Sequence, residues 1–103
     1  MDASFTLHCI SWNKGASLLQ EGRASACEIG LLSPADALTD EVDERCCHAM
    51  VLSESGKAIG CARIKPAGII ERMAVLPHEN RTQIEQALQL AAWLQEKSLS
   101  HCA

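Results

Sequence analysis

Tyrosine is missing from this 103-residue chain, and aromatic residues make up only 3% of it. That is too few for the stacking platforms on which single-stranded nucleic acids lie. Positive charge is scarce as well. Nine Lys and Arg against thirteen Asp and Glu leave a formal charge of −4, which gives no electrostatic reason to expect nucleic acid or an anionic membrane as a partner. No run approaches the ~20 apolar residues of a membrane span. The opening MDASFTLHCI has neither a basic segment nor a long apolar stretch, so no signal peptide is visible and a cytoplasmic location is expected. No repeat, low-complexity tract or linker interrupts the sequence, and we expect one domain over residues 1–103.

Cysteine is plentiful instead, at positions 9, 27, 46, 47, 61 and 102. There is no CxxC pair, and without a secretory signal the six read as reduced thiols, mostly small core residues. Cys46, Cys47 and His48 are consecutive, and neighbours in a strand point to opposite faces. One metal ion cannot easily take all three, so no metal site is expected.

Alternation marks a strand at residues 4–12, where Phe5, Leu7 and Cys9 interleave with Thr6, His8 and Ile10. Helical spacing of Leu19, Ala26, Cys27 and Ile29 indicates a helix over 14–30, weakened by Gly22. Ser33, Pro34 and Asp36 form a helix start. TDEVDER at 39–45 reads as a solvated acidic connector. A hairpin follows, with 48–53 pairing with 58–64 around ESGK. KPAG then turns the chain into a strand at 69–76, ended by Pro77. Asn80 is suited to cap the next helix, with Gln83 completing a capping box. That helix spans 81–98, and Ile84, Ala87, Leu88, Ala91 and Leu94 form the stripe that packs on the sheet, widened by Leu90 and Trp93. The short remainder, LSHCA, is long enough only to begin another strand.

Several stretches carry a resemblance. HAMVLSESGKAIGCARI contains Gly56, Ile59, Gly60 and Arg63 in the spacing G-x-x-[IV]-G-x-x-R, IIERMAVLP is a distinctive strand, and GRASACE is followed by DEVDERCCH. Together, over essentially the whole chain, they resemble the GNAT family of N-acyltransferases. The resemblance implies an α/β fold with a mostly antiparallel sheet of about four strands and helices on both sides, the C-terminal part of the full fold being missing. It also implies that backbone groups of Met73, Ala74 and Val75 pair with the pantetheine arm of acetyl-CoA. The turn into the following helix, with Arg81, Thr82 and Gln83, would meet the pyrophosphate.

Those positions hold the wrong residues. The family places [RQ]-x-x-G-x-[GA] across this turn, whereas this chain has NRTQIE at 80–85, with Gln83 and Glu85 where small residues are usual. Side chains occupy the space that phosphates need. An exposed carboxylate ~4 Å from a phosphate costs about 1 kcal/mol even in water, and a helix dipole returns only about 0.3–1 kcal/mol. The resemblance also implies a further strand, helix and strand pair, and in many members a Tyr that protonates the departing thiolate; this sequence has no Tyr. No catalytic residue is assigned. Glu71 or His78 as a general base lacks any visible positioning partner, and Cys61 reads as core rather than nucleophile.

Two readings stay open. One is a degenerate GNAT-like module, weak or inactive toward acetyl-CoA, with a non-catalytic or regulatory role. The other is a minimal N-acetyltransferase acting on an amine and completed by a second subunit. Strand 69–76, left at a sheet edge, and the broad apolar stripe on the last helix argue for a homodimer.

Overall fold

Turn chemistry and alternation organise the chain much as the sequence indicates. The structure is a computed structural model that describes residues 4–98, with side chains through residue 95; the expected start of a further strand at 99–103 lies outside the described residues. Strand β1 (Phe5–Ser11) runs into helix α1 (Trp12–Glu28), followed by the short α2 (Pro34–Ala37) and a 3-10 turn at Asp43–Arg45. Strands β2 (Cys47–Ser53), β3 (Ala58–Lys65) and β4 (Ile69–Val75) then lead to helix α3 (Arg81–Ser98). The strands form one antiparallel sheet in the order β1-β2-β3-β4. No helix among the described residues is long and apolar enough to cross a membrane.

The turns follow from their residues. Ser33 Oγ accepts the Asp36 N–H at 3.1 Å and caps α2, with Pro34 at its first position. Gly56 takes φ 86° in the β2–β3 hairpin, where the Ser53 N–H meets the Lys57 carbonyl at 2.9 Å. The β3–β4 connection needs two left-handed residues in succession, Ala67 and Gly68.

Alternation along β2 splits the core into two layers. Ala49 and Val51 face α3, packing with Ala62, Ile64, Val75, Ile84, Leu88, Ala91 and Ala92. Met50 faces α1, packing with Trp12, Leu19, Ala26, Cys61 and Ala74. The helices therefore cover opposite faces of the sheet. The middle strand β3 is buried from Ala58 through Ile64, and glycine lets both helices approach it. A Cβ at Gly22 of α1 would lie 3.3 Å from Ala58 Cβ, and one at Gly60 would lie 3.0 Å from Ile84 Cγ2 of α3.

Two expectations need correcting here. The stripe on α3 is narrower than its apolar composition suggests: Ile84, Leu88, Ala91 and Ala92 are buried, but Leu90, Trp93 and Leu94 remain about half exposed. Positions 84, 88, 91 and 92 share one face at helical spacing, and 90 and 94 point away from it. The thiols are not uniform either. Cys9, Cys27, Cys46 and Cys61 are free, whereas Cys47 is disulfide-bonded.

Candidate functional site

The edge strand β4 and its junction with α3 hold the residues that the resemblance implicates. Ala74 and Val75 are buried and pair with Cys61 and Gly60 of β3, while Met73 is half-buried against the α3-side core. Among the described residues β4 lies at the edge of the sheet, so one side of its backbone has no neighbouring strand. Arg81, Thr82 and Gln83 are exposed in the first turn of α3.

The junction between them closes on itself. The Asn80 N–H donates to His78 Nδ1 at 3.0 Å and the Arg81 N–H donates to the His78 carbonyl at 3.1 Å. Backbone donors at a helix start are the groups that an anion would use, and these two are spent on His78. The Asn80 N–H is also the donor that a capping box would pair with Gln83, so that half of the expected box is taken over by His78. Arg81 is paired as well, its Nε lying 3.3 Å from Glu85 one turn along.

A second arrangement lies on the α1 side of the sheet. The acidic stretch at 39–45, expected to be a solvated connector, is exposed at Thr39, Glu41, Glu44 and Arg45 but delivers Asp43 into the interior, where it is fully buried. Its carboxylate accepts from Arg23 Nη1 and Nη2 of α1 at 2.9 and 2.8 Å, and from Arg63 Nη1 of β3 at 3.2 Å. Arg63 Nη1 also donates to Asp40 at 2.8 Å and Arg63 Nε to Glu71 of β4 at 2.8 Å. Arg72 donates from Nη2 to Asp40 at 2.8 Å and from Nη1 to the Leu38 carbonyl. Three arginines thus meet three carboxylates, and the balance of charge is what allows Asp43 to be buried. Burial alone would raise the Asp43 carboxyl, but the hydrogen bonds and charges of Arg23 and Arg63, with the Asp40 N–H, hold it well below the usual carboxylate range.

His48 completes the layer. Its Nε2–H donates to the Asp43 carbonyl at 2.8 Å, and its ring lies 5.2 Å from that of Trp12, which also carries Arg23 over its face. Burial lowers its pKa, which keeps the ring neutral. Its Nδ1 is buried without a hydrogen-bond partner.

Each candidate catalytic group now has a defined place. The Glu71 carboxylate is committed to Arg63, with Lys65 Nζ 3.8 Å away. His78 uses Nδ1 to accept from the backbone. Cys61 is buried in the α1-side core, and burial pushes its thiol pKa up, as it does for Cys9 and Cys46; raised thiols are poor nucleophiles. Among the described residues no group of three or more His, Cys, Asp or Glu could hold a metal ion. Family models, curated proteins and solved structures give no match to the chain.

Proposed function

We propose that this chain is a GNAT-like acyltransferase-fold protein that binds acetyl-CoA weakly or not at all and acts as a non-catalytic or regulatory module. Support for the fold comes from the antiparallel order β1-β2-β3-β4, with α1 and α3 on opposite faces and a bulged β4 feeding α3. One observation carries the loss of phosphate binding: the Asn80 and Arg81 N–H groups both donate to His78. Arg81 is further neutralised by Glu85, and Gln83 projects from the turn where a small residue would be needed. The open edge at Met73, Ala74 and Val75 is the part of such a site that requires no particular side chains.

Calorimetric titration with acetyl-CoA tests this reading, and we expect a Kd above ~100 μM or no heat at all. Micromolar binding would overturn it in favour of a minimal N-acetyltransferase. Replacing Arg81, Gln83 and Glu85 together by Gly should strengthen binding where side-chain bulk and charge are the obstacle. The β4 edge, which has no neighbouring strand among the described residues, supports assembly as a homodimer, since an unpaired strand is a template for a second copy, and Ile69 at its start is 57% exposed.

A further inference from the structure

Arg72 is the residue that suits its strand least. Between the pairs Arg63↔Glu71 and Cys61↔Ala74, β3 contributes one residue, Ala62, and β4 contributes two, Arg72 and Met73. Arg72 is the one in left-handed backbone, at φ 53°. Without the bulge, Arg72 would stand opposite Arg63 and Glu71 would be carried to the other face of the sheet. The bulge therefore keeps Glu71 beside Arg63, at the cost of an unfavourable conformation. Such a conformation persists only where its surroundings over-determine it.

Those surroundings come from the connector after α2. Leu38 offers its carbonyl and Asp40 its carboxylate to the Arg72 guanidinium, 34 and 32 positions away. Asp40 is itself fixed from three sides. Its Oδ1 accepts from the N–H groups of Val42 and Asp43 at 3.0 and 3.2 Å and from Arg63 at 2.8 Å. Behind it, Asp43 hangs on Arg23 of α1. The connector is thus tied at its far side to a helix and at its near side to the bulge of an edge strand.

We propose that residues 38–43 form a latch across the start of β4, with the Arg72 guanidinium as its bolt, and that opening the latch frees residues 69–73 while β1, β2 and β3 stay paired. The freed segment cannot settle in an unbulged register, because that would set Arg72 against Arg63. Release therefore gives an open edge rather than a re-paired one. This holds whether or not the chain binds acetyl-CoA.

Native-state hydrogen exchange on the full chain tests the latch. In the unaltered chain, the Val42 and Asp43 amides and the protected amides of 69–73 should show protection factors within about threefold of one another, since one opening exposes both. Asp40→Asn leaves β4 unchanged in sequence, yet should speed exchange in 69–73 by about tenfold or more while residues 47–51 of β2 stay as they were. Arg72→Asn keeps a residue that tolerates left-handed backbone and removes only the bolt, so it should act in the same way. Exchange in 69–73 that is unmoved by Arg72→Asn, or that differs widely from the loop in the unaltered chain, would overturn the proposal. Those two measurements decide even if Asp40→Asn fails to fold.

Discussion

Glu71 faces Arg63 across the β3–β4 ladder, accepting from its Nε at 2.8 Å. The extra residue that brings them level is Arg72, so the alignment of one ion pair and the strained backbone of the next residue are a single feature. The same Arg63 reaches Asp40 and Asp43, and β4 is thereby coupled to the buried charges above α1.

Removing the centre of that group should be severe. Asp43→Ala leaves Arg23, only 1% exposed, without its carboxylate, and breaking one side of a buried pair typically costs about 3–5 kcal/mol. That is a large share of the stability of a domain this size. Urea unfolding followed by circular dichroism should give a loss in this range. Asp40→Ala, at a third-exposed carboxylate, should cost clearly less.

Acid should act in two stages of the same sign, each lowering stability as pH falls. His48 has a folded pKa lowered from 6.5, so the unfolded chain takes up its proton first and stability begins to fall as pH drops through about 6.5. Asp43 and Asp40 are also lowered. Their contribution is complete above the unfolded carboxylate range and is lost as pH falls below about 4. The urea midpoint should therefore decline between pH 7.5 and 5.5, and His48→Gln should flatten that decline while leaving the lower stage in place.

Overpacking at β3 offers a test of the two-layer core. Gly60→Val sets methyl groups against Ile84, Val51 and Leu88 and should destabilise by about 1–3 kcal/mol. A midpoint equal to that of the unaltered chain would mean that α3 can shift outward freely.

Light scattering at micromolar concentration should give twice the 11.1 kDa protomer mass if the β4 edge recruits a second copy. A protomer mass would remove both the homodimer and the reading of a minimal N-acetyltransferase completed by a second subunit.

Much of the fold was legible because its signals are local. Alternation and turn chemistry place strands at 4–12, 48–53, 58–64 and 69–76, against observed strands from Phe5 to Ser11, Cys47 to Ser53, Ala58 to Lys65 and Ile69 to Val75. Helix 81–98 falls where periodicity put it. The charged layer was not legible in the same way. A window over 39–45 contains four acidic residues and nothing to neutralise them but Arg45; the arginines that do so lie 20 to 32 positions away. The bulge did leave a trace. Strict alternation cannot put both Ile70 and Met73 on one face, yet both pack on the α3 side.

Asp43 stands twenty positions after Arg23 and twenty before Arg63. A folding intermediate that joins α1 to the connector without β3, or the hairpin to the connector without α1, would bring Asp43 out of water with half of its neutralising charge. Neither half gains by forming early. The ionic layer thus penalises partial assemblies in which Asp43 leaves water with only one of its two arginines.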